Sequence, residues 1–195
     1  AHLSLFERGE VEDVLERAVD AGVAGVLTPA SGPGDLEAVL ELAAAFPSRV
    51  VASVGVHPHE AAALDDALKR RLESLVGRPG VVALGEIGLD YHYDFSPRED
   101  QLRALSGQLD LAREVGLAVI LHNRESWADL EAALAAGAGS VRGVCHSFCE
   151  GPDEAARVVE LGLLVGVSGM VTFGWADRVR AAVRRVGPDR LLVET

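Results

Sequence analysis

The stretch Val81-Val-Ala-Leu-Gly-Glu86 decides how this chain is read. It is an apolar, β-branched run without alternation, as a parallel strand covered on both faces requires. Yet it finishes on a carboxylate. Three other apolar runs also end on a side chain able to bind metal or move a proton: Val50–His57, Leu117–His122 and Gly143–His146. Val23–Thr28, Leu163–Val167 and Arg190–Glu194 are further strand candidates.

Helical patterns lie between these runs. Val11, Val14, Leu15, Ala18 and Val19 form one apolar stripe. Leu68, Leu72, Leu75 and Val76 form another, and Leu102, Leu105, Leu109 and Ala112 a third. Ser96-Pro97-Arg98-Glu99 supplies a capping residue, proline at the first helical position and glutamate at the third. Gly22, Gly77, Gly116, Gly137, Gly162 and Gly187 each stand between a helical pattern and the next strand, where a left-handed helix end favours glycine.

Alternating β and α units imply a parallel sheet, either open and doubly wound or closed as a barrel. The open sheet normally carries a glycine-rich phosphate loop, and neither G-x-G-x-x-G nor G-x-x-x-x-G-K-[ST] occurs here. In a closed parallel barrel the C-terminal strand ends share one rim. His57, Glu86, His122 and His146 can then meet at one point despite their separation in sequence. Imidazoles with a carboxylate suit Zn²⁺, Mn²⁺ or another first-row divalent ion. One buried histidine is usually a satisfied core residue; four strand endings of this kind favour a metal site.

Other polar groups read more plainly. Pro58 ends its strand and sends His59 into the loop, which weakens His57-Pro58-His59 as a ligand pair. Cys145 and His146 are strand neighbours on opposite faces, so Cys145 packs against helices if His146 faces the barrel axis. Cys149 falls in the following loop. Gly166-Val-Ser-Gly-Met170 misses the nucleophile elbow at its last position. Trp127 and Trp175, near helix starts, read as packing residues rather than base-stacking platforms.

The 195 residues carry 18 Lys+Arg against 30 Asp+Glu, a net charge of −12 that excludes nucleic-acid binding by bulk charge. An enzyme that meets a phosphodiester at a local metal or arginine cluster is not excluded. Apolar residues make up 49% and no membrane span or signal peptide is evident. No linker or composition shift divides the chain, so residues 1–195 read as one domain. Two cysteines exclude a disulfide framework, and a reducing, cytoplasmic setting is expected.

Seven stretches together resemble the TatD family of metal-dependent deoxyribonucleases. They are Ala1-His2-Leu3, Gly55-Val-His-Pro-His59, Ala83-Leu-Gly-Glu-Ile-Gly-Leu-Asp-Tyr91, Leu121-His-Asn-Arg124, Gly143-Val-Cys-His-Ser-Phe148, Ser168-Gly-Met-Val-Thr-Phe173 and Leu191-Leu-Val-Glu-Thr195. The resemblance implies a (β/α)8 TIM barrel whose binuclear centre of Mg, Mn or Zn hydrolyses DNA, with single strands or 3′ ends as substrate. It implies His2, Glu86, His122 and His146 as metal ligands, with Glu86 bridging. It puts His57 and Arg124 near the substrate phosphate, with His57 and Glu86 as catalytic groups, and Asp90 and Tyr91 as supporting or substrate contacts.

Two departures stand out. The family's first H-x-H histidine would stand one place before Ala1, and its last ligand, an aspartate, would follow Thr195. Most of the first strand and the C-terminal segment of the barrel are therefore lacking here, and the chain reads as the core of a longer protein. An ion is expected at the complete set Glu86, His122 and His146. Rival readings are a metal-dependent hydrolase of C–N or ester bonds, such as an amidohydrolase or aminoacyl-tRNA deacylase, and a non-catalytic barrel that binds metal or a partner.

Overall fold

The computed structural model describes residues 1–93, 95–137 and 140–195. Seven strands are formed: β1 (Val26–Pro29), β2 (Val50–Val54), β3 (Val81–Asp90), β4 (Ala118–Arg124), β5 (Gly143–Cys145), β6 (Leu163–Val167) and β7 (Leu191–Val193). They make one parallel sheet in the order β1 to β7. A doubly wound sheet would reverse its order at a switch point. Strictly sequential winding is that of the (β/α)8 barrel, and the sheet curls into a half-barrel with its helices outside.

The helices are α1 (Arg8–Asp20), α2 (Leu36–Ala45), α3 (Asp66–Leu75), α4 (Arg98–Val115), α5 (Trp127–Ala136), α6 (Pro152–Glu160) and α7 (Asp177–Val186). None among the described residues is long and apolar enough to cross a membrane.

Strand alternation sorts the core into two sets. Ile87, Leu89, Val119, Leu121 and Cys145 join the large cluster beneath the helices, with Leu105, Leu109 and Leu130. Ala83, Ile120 and Val144 form a smaller cluster, with Leu27 and Leu164 against it. Cys145 is 1% exposed in the helix-side cluster, as its position beside His146 predicts. Burial pushes its thiol pKa up, so it stays a neutral packing group.

Helix α4 buries more than its apolar stripe. Leu105, Leu109 and Ala112 are buried, but Leu102 is half-exposed. The stripe includes two fully buried glutamines instead. Gln108 Oε1 accepts from Val56 N at 2.8 Å and its Nε2 donates to Val56 O at 3.1 Å. Gln101 treats Asp90 in the same way, at 2.8 and 2.9 Å. Each amide completes the backbone hydrogen bonding at a chain position where neighbouring strand pairing runs out. One helix thereby fixes the segments that carry His57 and Asp90.

Several boundaries differ from the sequence reading. β3 continues four residues beyond Glu86, to Asp90. Gly88 permits this: its φ is 144°, and a Cβ there would stand 2.0 Å from His122 O. Only glycine lets β4 lie this close. Val23 lies outside β1 and is exposed, because the strand begins at Val26. Val19, read as part of a buried stripe, is also exposed.

Ser96 does not cap α4; Pro97 holds that position. The Ser96 hydroxyl instead donates to His59 O at 2.8 Å and accepts from Ala62 N at 3.2 Å, tying down the loop after β2. Of the six glycines read as helix ends, Gly22, Gly116, Gly162 and Gly187 have positive φ, whereas Gly77 and Gly137 do not.

Candidate metal centre

Glu86 lies within β3, four residues before its end, and is only 4% exposed. Four imidazoles surround it. His122 Nδ1 is 3.1 Å and His146 Nε2 3.0 Å from its Oε1. His57 Nε2 is 3.6 Å from Oε1, and His2 Nε2 is 3.8 Å from Oε2. The expected meeting of residues from separate strands is present, but Glu86 and His122 stand inside β3 and β4, whereas His57 and His146 follow the ends of β2 and β5.

Local structure explains each position. His122 is carried by β4, and His146 follows β5 with its backbone N donating to Leu121 O. His57 follows β2, its N bonded to Ser31 O. His2 lies beside β1 because Ala1 N donates to Leu27 O and Leu3 N to Thr28 Oγ1.

Carboxylates also stand behind two of the imidazoles. Asp90 Oδ2 is 3.0 Å from His122 Nε2, and Glu194 Oε2 is 2.6 Å from His146 Nδ1. Each ring thus points one nitrogen at Glu86 and gives the other to an orienting carboxylate. This is the arrangement that fixes tautomer and direction in metal-binding histidines. The donor types and their convergence fit a divalent ion. Ligand atoms of His57, Glu86 and His122 lie within 4.8 Å of one another.

Proton affinities follow from this packing. Burial alone would raise the Glu86 pKa, but hydrogen bonds from His122, His146 and His57 outweigh it and hold the carboxyl well below its ordinary value. Burial would lower that of His146, yet Glu194 and Glu86 together push it up to about 10. His57 is shifted the other way: desolvation dominates and its pKa falls. For Asp90, burial is opposed by hydrogen bonds from Tyr93 N, His59 and His122, and the net direction is down.

The remaining sequence-derived residues are distributed as follows. His59 does not reach Glu86; its Nε2 lies 2.9 Å from Asp90 Oδ2. Its backbone N donates to His57 Nδ1 at 3.2 Å, which leaves Nε2 of that ring as the proton carrier. Arg124 ends β4 with its guanidinium 4.7 Å from the centroid of the Tyr93 ring. Tyr91 turns away from the cluster: its hydroxyl donates to Asp129 at 2.7 Å, and Arg98 covers its ring. Burial and the Asp129 carboxylate raise the Tyr91 pKa to about 12, so it stays a hydrogen-bond donor.

Trp127 packs against the core as expected, but Trp175 is 66% exposed. It lies in the loop between β6 and α7.

Sequence reasoning missed Glu194. Its Oε1 accepts from Ser147 N while Oε2 holds His146. Gly166 makes room for it, since a Cβ there would be 2.5 Å from Glu194 Oε1. The available signal was the one used for the other four residues, because the run Arg190–Glu194 also ends on a metal-binding type.

A sequentially wound parallel sheet with a buried carboxylate ringed by histidines, two of them backed by carboxylates, defines a metal-dependent hydrolase. The comparisons are specific. The TatD related DNase family profile matches residues 1–195, and the chain belongs to that family. A protein of Dickeya dadantii named 3′-5′ ssDNA/RNA exonuclease TatD is 36% identical over 192 residues, covering 96% of this chain and 72% of that protein. An uncharacterized metal-dependent hydrolase of Bacillus subtilis is 31% identical over 197 residues, covering 100% of this chain and 77% of the relative. The crystal structure of a TatD homologue from Escherichia coli superposes with a TM-score of 0.91 at 34% identity, covering 100% of this chain and 76% of that one. The chain is accordingly a hydrolytic enzyme of ester-bond chemistry, its seven parallel strands forming a curled half-barrel where its structural homologues are TIM barrels.

Proposed function

We propose that this protein is a cytoplasmic, single-domain phosphodiesterase that trims single-stranded DNA or RNA from 3′ ends, using two divalent ions of Mg, Mn or Zn. The observation that carries this is the pair of carboxylate-backed imidazoles, Asp90–His122 and Glu194–His146, aimed at one buried carboxylate. The relatives named as single-strand exonucleases supply the substrate class.

Glu86, His122 and His146 would hold one ion, and His2 with Glu86 would contribute to the other. When bound, such ions supply Lewis acidity toward a phosphoryl oxygen and acidify water at neutral pH. The chain's own residues do the rest. Asp90 and Glu194 keep the imidazoles in one tautomer and orientation. His57, kept neutral by desolvation with its Nε2 proton directed into the cluster, donates a hydrogen bond to a phosphate oxygen. Arg124 at the end of β4 neutralises charge gathering on the phosphate.

A 5′-labelled oligodeoxynucleotide, incubated with each divalent ion, tests the reading. Stepwise shortening from the 3′ end, abolished by chelation and by Glu86→Gln, is the expected result. Absence of cleavage with every ion, alongside turnover of an amide or carboxyl-ester panel, would overturn it in favour of C–N or carboxyl-ester hydrolysis.

A further inference from the structure

Two pairs of exposed aromatic rings stand on the loops that leave the C-terminal strand ends, and the metal chemistry uses neither. In the loop after β3, Tyr93 and Phe95 are 39% and 67% exposed, with ring centroids 5.4 Å apart and planes within 2°. After β6, Phe173 and Trp175 are 49% and 66% exposed, with centroids 5.5 Å apart at 65°. All strands are parallel, so both loops leave the same rim. The ends of β4 and β5, beside His122 and His146, lie between them.

Contacts hold these rings in place while leaving them 39–67% exposed. The His59 ring meets Phe95 edge-on at 4.8 Å, and Arg124 lies over Tyr93. The Arg180 guanidinium donates to Val171 O and Phe173 O at 2.9 and 2.8 Å, bracing the second loop. Large apolar rings fixed in water mark a binding surface rather than a packing accident.

We propose that the Tyr93–Phe95 and Phe173–Trp175 pairs are base-stacking platforms that hold unpaired nucleotides on both sides of the metal centre. The inference rests on the nucleic-acid reading above and deepens it. With a net charge of −12 the chain cannot gather a polyanion by bulk attraction. Stacking supplies affinity that is neither charge-driven nor base-specific, because every base offers a π-face. It also rejects duplexes, whose bases already stack on one another.

The test is anisotropy with a fluorescent ten-residue oligothymidylate and the Glu86→Gln protein, in which cleavage cannot confuse binding. Phe95→Ala and Trp175→Ala, each added to that background, should weaken binding by about 5- to 100-fold, while Trp175→Phe retains most of it. An otherwise identical strand of abasic spacers should bind the Glu86→Gln protein as weakly as the alanine variants bind the thymidylate. Oligothymidylate should quench Trp175 emission, and the quench should vanish in Trp175→Phe, where Trp127 alone reports. Binding within twofold of the parent in both alanine variants, or equal affinity for the abasic strand, overturns the proposal. Wild-type hydrolysis of bis(p-nitrophenyl) phosphate with Mn²⁺ is read separately. If that activity is absent, the phosphodiesterase reading fails; if it is present and stacking is not, only the platforms fail.

Discussion

Around the ends of β3 to β6 the usual placement of side chains is inverted. The carboxylate of Glu86 is 4% exposed, whereas Phe95 and Trp175, a few residues past the strand ends, are about two-thirds exposed. In the pocket a charge is withdrawn from water, and hydrogen bonds from His122, His146 and His57 offset the desolvation. On the rim, apolar area is left in water and stays rigid through contacts below it. Neither placement serves stability, and both are hard to explain without a ligand that is charged at one end and flat and apolar at the other.

The largest effect is expected in the pocket. Glu86→Ala should lower divalent-dependent phosphodiester cleavage by roughly 10³-fold or more, with an unchanged circular dichroism spectrum. Retained activity would mean that the buried carboxylate serves the fold alone. Glu194→Gln should leave the pocket in place but loosen His146, weakening divalent affinity by about 10- to 100-fold in a calorimetric titration. Gly166→Ala should act in the same direction, because its Cβ enters the space held by Glu194 Oε1.

Stability should divide the regions as well. Leu109→Ala, beneath the sheet, should cost about 2–5 kcal/mol in urea denaturation. A divalent ion at about 100 times its dissociation constant should add about 2.7 kcal/mol to the wild type and far less to Glu86→Gln, read as a shift in Tm. Phe95→Ala should change stability by no more than about 0.5 kcal/mol. A larger loss there would identify the exposed ring as structural and erase the contrast.

Much of this was legible in the residues. All seven strand candidates form, because unbroken β-branched runs between amphipathic helices admit little else. The gathering of His57, Glu86, His122 and His146 followed from one barrel rule. The rest was hidden for physical reasons. Gln101 and Gln108 look like solvent-facing positions in a periodicity reading, since a buried amide that pairs with backbone leaves no apolar trace. Gly88 looks like a strand terminator until β4 is seen to need its missing Cβ. Trp175 reads as a packing residue because aromatic rings usually pack, and nothing in its local sequence marks it as 66% exposed. The exchange of Ser96 from helix cap to loop tether depends on the loop after β2, far away in sequence.

The two glutamine grips of α4 carry a further consequence. They stand seven residues apart on one rigid rod, a rise of about 10.5 Å. The spacing between the chain segments that present His57 and Asp90 is therefore gauged by a helix, not by the loops that happen to join them. Insertions or deletions in those loops can alter what approaches the pocket while its dimensions stay constant, so substrate preference can drift without recalibrating the chemistry.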